Sequence, residues 1–260
     1  MHFAMGVEYN GAHYHGWQSQ LGLTTVQGSV EAALSKLAHQ PIKVQCAGRT
    51  DVGVHATGQV IHFDSDAKRA DSAWVCGTNT YLDSHIRILW VKEVPVDFHA
   101  RFKALTRRYR YIIDNNPVVS GIFKDQVTWV RHPLCEKSMA KAAQCFLGEH
   151  DFSAYRASGC QARNPIRKLY RFDIHRRGPM VVMDIEGSGF LHHMVRNIAG
   201  VLVKIGEKKQ PITWAQELLL ALDRRLGAAT ASPKGLYLVD VTYPPEYALK
   251  RSALGPLFLY

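Results

Sequence analysis

The chain is poor in the features that mark secreted, membrane-bound or metal-clipped proteins. Its five cysteines (Cys46, Cys76, Cys135, Cys145 and Cys160) are odd in number, and no two form a CxxC pair. A disulfide framework or a zinc knuckle is therefore not expected, and reduced thiols in a cytosolic protein are. Apolar runs such as Leu218 to Leu222 are far too short to span a bilayer. The N-terminal MHFAMGVEYNG has no basic stretch followed by an apolar one, so no secretory signal is expected. Low-complexity runs and sequence repeats are missing, which argues against disorder and solenoids. No HExxH occurs, which removes the best-defined basis for a histidine-built metal hydrolase.

What is present is length, apolar content and charge. The 260 residues are 47% hydrophobic and 21% charged, enough for one large core or two modest ones. The formal charge is +10, and it is unevenly spread. Residues 1–100 hold 7 Lys and Arg against 9 Asp and Glu, whereas residues 101–260 hold 25 against 13. A surplus confined to one part of a chain points to a polyanionic partner, nucleic acid first; a merely soluble basic protein is the plainer alternative.

Phe3, Met5, Val7 and Tyr9 alternate with His2, Ala4, Gly6 and Glu8, which predicts a half-buried strand ending at the turn pair Asn10-Gly11. Val26, Val30, Ala33, Leu34 and Leu37 mark a helix face, with Thr25 as its N-cap. Residues 43–50 and 59–64 read as strands flanking a polar, glycine-containing loop, 72–82 as a helix and 86–94 as a strand. A second series follows: a strand over 106–114, a helix over 136–147, a hairpin of 166–176 and 180–186 around Arg177-Gly178-Pro179, helices over 190–205 and 212–222, and a closing strand over 235–243. Strands and helices without strict βαβ alternation predict an α+β fold with mainly antiparallel sheet. Two similar α+β halves are expected, 1–100 and 101–260, with a basic cleft between them and 95–105 as the crossover.

The densest chemistry lies in Gly48-Arg49-Thr50-Asp51-Val52-Gly53-Val54-His55-Ala56. In extended chain Arg49 and Asp51 share a face. A guanidinium there would keep the carboxylate ionised and oriented, fit to act as nucleophile or base. A structural Arg–Asp pair capping a turn is the ordinary alternative. Along the strand over 106–114, Arg107, Tyr109, Tyr111 and Ile113 share a face, and either tyrosine is also a plausible core residue. On the helix placed at 190–205, Arg196 lies beside the stripe Phe190, Met194, Asn197 and Val201. His192-His193 would point about 100° apart on a helix and so make a poor joint metal ligand pair. Phosphate contact or packing suits them better.

Taken together, these segments resemble the tRNA pseudouridine synthase A family. The resemblance runs through Val7-Glu8-Tyr9-Asn10-Gly11 with Gly16-Trp17-Gln18, Val26-Gln27, Gly48 to Gln59-Val60 and His62-Phe63, and Phe98-His99-Ala100-Arg101-Phe102. It continues through Arg108-Tyr109-Arg110-Tyr111, His150-Asp151-Phe152, Phe190 with His193 to Asn197, and Gly235-Leu236. Asn10 stands where the family usually has Asp, and Asp83-Ser84-His85 replaces a usual Pro-x-Asp.

The resemblance implies conversion of uridine to pseudouridine at nucleotides 38 to 40 of the tRNA anticodon stem-loop, without cofactor or metal, by a cytoplasmic homodimer. Asp51 would be the catalytic carboxylate, attacking the ribose C1′ or the base C6, or acting as base at the ribose 2′ position. The three routes stay open, and all need the carboxylate ionised. Arg49 would fill the gap left by the flipped base and pair with Asp51. Tyr109 would hold the uracil and take the C5 proton. Arg196 would clamp Asp51 electrostatically, and Leu236, Phe190 and His193 would line or flank the substrate. Arg101, Lys103, Arg107, Arg108, Arg110, Arg163, Arg167, Lys168 and Arg171 alternate with Phe102, Tyr109, Tyr111 and Tyr170, a mixture suited to phosphates and unstacked bases. The rivals are a non-catalytic structured-RNA-binding protein and a metal-dependent hydrolase.

Overall fold

The computed structural model describes residues 1–251 and 253–260. The chain divides into two compact units, Met1–Thr106 with Tyr237–Tyr260, and Arg107–Leu236. The last strand and the tail thus belong to the first unit.

In the first unit, β1 (His2–Tyr9), β2 (Gln45–Cys46), β3 (His55–Asp64) and β4 (Ile86–Glu93) form antiparallel pairs, with β1 between β3 and β4 and β2 on β3. Two helices pack on this sheet, α1 (Val26–Ala38) and α2 (Asp71–Tyr81). Thr25 caps α1 as expected, its hydroxyl accepting from the Gly28 N–H at 3.2 Å. Strand β1 is not half-buried: seven of its eight residues are buried, Glu8 being the exception. On one face, Trp74 of α2 packs on Phe3 and Phe63 at 5.4 Å. On the other, the Trp90 indole covers Gly6 so closely that a Cβ there would lie 2.2 Å from its Nε1. Alternation in β1 therefore separates large from small residues, not core from solvent.

In the second unit, β5 (Thr106–Asp114), β7 (Gly148–Asp151), β8 (Ile166–Arg177) and β9 (Met180–Gly187) pair antiparallel in the order β5-β9-β8-β7, and β6 (Thr128–Trp129) adds in parallel to β5. Helices α3 (Glu136–Ala143), α4 (Met194–Gly206) and α5 (Trp214–Ala221) complete it. The hairpin turns at Arg177-Gly178-Pro179 with Gly178 at φ 53°. Strand β10 (Leu236–Thr242) pairs in parallel with β3, Tyr237 facing His55. That pairing places the strand in the first unit, and partners 182 residues apart leave no local signature. The fold is thus α+β with mainly antiparallel sheet, as expected. Its five cysteines are free, and among the described residues no helix is long and apolar enough to cross a membrane.

The crossover 95–105 is anchored by three histidines. His2 bridges Asp64, 2.7 Å from Nδ1, and the Phe98 carbonyl, 2.9 Å from Nε2. His62 Nδ1 accepts from the Ala100 N–H at 3.1 Å, and His99 Nδ1 accepts from the N–H groups of Arg101 and Phe102. An accepting nitrogen needs its lone pair, so His62 is held neutral. Its pKa falls to about 4, through burial first and then the neighbouring His99 and His2. A histidine depressed on folding gives stability that is whole above its ordinary value of 6.5 and lost as pH falls towards 4. We expect the urea midpoint to drop across that interval, and His62→Asn, which keeps an acceptor for Ala100, to flatten the drop. Parallel pH profiles of the two proteins would contradict this.

Candidate active site

Asp51 sits on a turn, not in a strand. Strand β2 ends at Cys46, and the Asp51 carbonyl accepts from the Val54 N–H at 3.1 Å while Gly53 takes φ 76°. Arg49 is exposed and Asp51 half-buried, and both lie outside the strands.

The turn is braced by the rest of its unit. Ahead of it, the buried Gln59 amide donates to the Gly48 carbonyl at 2.6 Å and accepts from the Gly48 N–H at 3.4 Å. The Thr50 hydroxyl bonds the Tyr9 hydroxyl at 2.8 Å, and the Thr50 carbonyl accepts from the Trp17 N–H at 3.0 Å. Two glycines let backbone press on backbone. A Cβ at Gly16 (φ 81°) would lie 3.0 Å from the Thr50 carbonyl oxygen, and one at Gly11 only 1.9 Å from that of Val54. Tyr9, Gly11, Gly16, Trp17 and Gln59 carried the family resemblance without a role; here each fixes the turn that bears Asp51. Periodicity could not reveal this, because the partners lie 11 to 43 residues away along the chain.

The two departures from the family pattern are accommodated locally. The Asn10 carbonyl accepts from the Ala12 N–H at 3.1 Å, as an Asp would. Asp83 accepts from the Tyr14 hydroxyl at 2.7 Å and from the His85 N–H at 2.8 Å, and the His85 ring stacks on His13 at 3.7 Å.

In the second unit, Tyr109 on β5 is 8% exposed and meets half-buried Phe190 edge-to-face at 5.0 Å. Tyr111, two residues on, is a core residue: its hydroxyl bonds Thr128 at 2.7 Å and the Ser232 carbonyl at 2.9 Å. Burial drives its pKa up, against the Thr128 hydrogen bond and the Arg196 charge. Helix α4 starts at Met194 and not at Phe190, so Phe190, His192 and His193 are loop residues. His193 is in the left-handed region at φ 59° with no side-chain cap, and its ring lies 3.9 Å from that of His192. A non-glycine residue held there stores on the order of 1–3 kcal/mol of strain, which is commonly kept at functional positions. Arg196, in the first turn of α4, donates from Nε to the Ala231 carbonyl at 2.8 Å, and its own carbonyl accepts from the Ala231 N–H. Leu236 is buried, next to Gly235, whose absent side chain lets it approach Ile112 O.

The basic residues separate into two groups. Arg108 grips Asp184 through two bonds of 2.6 and 2.8 Å, and Arg110 adds a third at 2.9 Å. Asp184 and Arg110 are buried and Arg108 nearly so. Burial raises the Asp184 pKa, but the two guanidiniums prevail and hold it below the usual range. Arg108 and Arg110 therefore balance a buried charge. Arg107 points to the other face of β5 and donates to the Ser188 carbonyl at 3.1 Å. Arg163, Lys168 and Arg171 are exposed, with Lys168 over the Tyr170 ring at 5.7 Å and Arg171 paired to Asp173. Arg167 is half-buried and bonds the carbonyls of Asn164 and Ile166. Arg101 is exposed beside Phe102 in the first unit, and Lys103 there pairs with Asp97 at 2.8 Å. The boundaries of the units sharpen the charge pattern. The first holds eleven basic and eleven acidic residues, the second twenty-one and eleven, so the whole surplus of +10 lies in the second. Asp184→Ala, which removes the carboxylate that both guanidiniums grip, is expected to cost about 3–5 kcal/mol in urea unfolding; a loss under about 1 kcal/mol would mean that the arginines are not spent on Asp184.

Comparison with known proteins bears on what this arrangement serves. The tRNA pseudouridine synthase family model matches residues 5–103 and 142–244. A Legionella pneumophila protein named tRNA pseudouridine synthase A is 51% identical over 260 residues, covering 100% of this chain and 99% of its own. Coxiella burnetii has one of the same name, 52% identical over 256 residues and 98% of each chain. A third, from Shewanella piezotolerans, is 51% identical over 259 residues, with 100% and 99% covered. The matched segments contain the Asp51 turn, the residues that brace it, and Tyr109-free β7 to β10 with His193, Arg196 and Leu236. With identity of this order over its full length, the chain belongs to the tRNA pseudouridine synthase family.

Proposed function

We propose that this protein isomerises uridine to pseudouridine in tRNA, at nucleotides 38 to 40 of the anticodon stem-loop, with Asp51 as the reacting carboxylate. The reaction breaks the C1′–N1 glycosidic bond, turns the uracil and joins C1′ to C5. The C5 proton leaves and N1 gains one, so atoms and electrons balance within the nucleotide and no carrier is required. The observation that carries the reading is the Asp51 turn itself: one carboxylate on a tight turn, fixed from behind by buried hydrogen bonds and by glycine backbone contacts. Such fixing pre-orients an attacking group, and orientation is worth several kcal/mol of barrier.

The remaining roles follow the same chemistry. Arg49, long, planar and exposed, suits the gap left when the uridine is flipped out and pairing with Asp51 otherwise. Tyr109 offers a ring edge and a hydroxyl for the uracil and its C5 proton, with Phe190 supporting the ring. His193, Arg196 and Leu236 flank the nucleotide, Arg196 as the electrostatic partner of Asp51. The active form in this reading is a cytoplasmic homodimer, supported by what the resemblance implies.

Asp51→Asn keeps the shape and removes the charge. Release of tritium from C5-labelled uridine in tRNA should become undetectable, with tRNA affinity kept within about threefold. Substantial residual release, after excluding deamidation, would remove Asp51 from the chemistry.

The charge of the second unit speaks to substrate size. One flipped uridine needs few cations, so most of a +10 surplus is available for phosphates farther away. Flipping costs on the order of a few kcal/mol, and distant contacts can offset it only on an RNA long enough to reach them. Full-length tRNA should exceed an isolated anticodon hairpin in kcat/KM by about tenfold at low salt, roughly 1.4 kcal/mol, and the gap should narrow as salt rises. Charge reversal of Arg163 and Lys168 should remove most of the gap. Equal kcat/KM for the two substrates would deny the second unit this role.

A further inference from the structure

Behind the Asp51 turn lies a histidine with no part in the chemistry above. His55, the first residue of β3, is 2% exposed. Its Nδ1 accepts from the Gly11 N–H at 3.1 Å. A backbone amide can only donate, so Nδ1 must carry a lone pair while this bond holds. The ring is thereby defined as neutral, with its proton on Nε2. Its flat face is covered by Tyr237, stacked at 4.6 Å and inclined by only 21°. Tyr237 stands opposite His55 in the parallel pairing of β10 with β3. The imidazole can therefore neither turn over nor tilt without losing its stacking on Tyr237.

The bond matters because of what Gly11 touches. The Gly11 backbone lies directly against the Val54 carbonyl, and the Val54 N–H closes the turn on the Asp51 carbonyl. At the other end of the same strip, the Asn10 N–H donates to the His85 carbonyl at 2.9 Å. The backbone is thus pinned at the adjacent Asn10 and Gly11, and Gly11 itself bears on the turn carrying the carboxylate.

We propose that His55, in its neutral Nε2–H form, is a positioning residue for the isomerisation: it holds Gly11 against the Asp51 turn and so sets the aim of the carboxylate without touching the nucleotide. The proposal rests on Asp51 being the reacting group. It assigns to His55 an effect on the chemical step and none on tRNA binding.

Three variants at this position separate the roles. His55→Phe keeps a ring for Tyr237 and loses the acceptor. His55→Asn places an oxygen near the site of Nδ1. His55→Gln places it nearer that of Nε2. Each is assayed by single-turnover tritium release from full-length tRNA under saturating enzyme, with tRNA Kd and urea midpoint measured alongside and Asp51→Asn run in parallel. A misplacement of about 1 Å at a reacting group costs on the order of 100-fold in rate. His55→Phe should therefore slow by about that factor with Kd within about threefold, and His55→Asn should recover to within about tenfold of the parent. Should the Phe variant fail to fold, the Asn–Gln comparison decides: Asn faster than Gln supports positioning through Nδ1, and equal rates overturn it. A Phe variant at parental rate, or an Asn variant as slow as Phe, also overturns it. If Asp51→Asn turns over, the reading of Asp51 fails and this proposal falls with it. An inert Asp51→Asn beside a fully active His55→Phe removes His55 alone.

Discussion

The close approach of backbone to backbone behind Asp51 is the constraint on which the site depends. A turn at the end of a short strand is ordinarily a mobile place for a reacting group. Here the turn is pressed between two glycines, Gly11 and Gly16, whose missing side chains allow contacts that any Cβ would prevent. Buried hydrogen bonds from Tyr9, Trp17 and Gln59 then remove the remaining freedom. The entropy of ordering the turn is met during folding, so it need not be met again when the substrate arrives.

The same logic governs the distribution of charge. Burying a carboxylate is costly, and Asp184 is tolerated in the sheet of the second unit only because two arginines surround it. Those arginines are structural even though they sit among residues that look like an RNA-binding run. The exposed cations on β8 and before it remain, beside Tyr170, as the part of the pattern that faces solvent. A basic stretch in sequence is therefore two populations in space, one neutralised inside and one presented outside.

Much of the fold was legible because it was local. The Thr25 cap, the bounds 106–114 of β5, the hairpin at Gly178 and the α+β class follow from periodicity and turn chemistry within short windows. Errors arose where a residue answers to a distant neighbour. β1 alternates yet is buried on both faces, because Trp90 fills the side left by Gly6. Helix α4 begins four residues later than its apolar spacing suggested, because His193 takes a left-handed conformation and the preceding residues form a loop.

The sequence by itself determined the family and singled out the segment that bears Asp51, since glycine, aspartate and arginine in fixed order have few other uses. Tertiary structure alone decided who pairs with whom. Arg110 meets Asp184 across 74 positions, Tyr237 covers His55, and Trp90 covers Gly6. The physical reason is common to all three: side-chain direction along a strand or helix repeats with a short period, whereas the partner it meets is chosen by strand pairing and turn geometry, which no local period encodes.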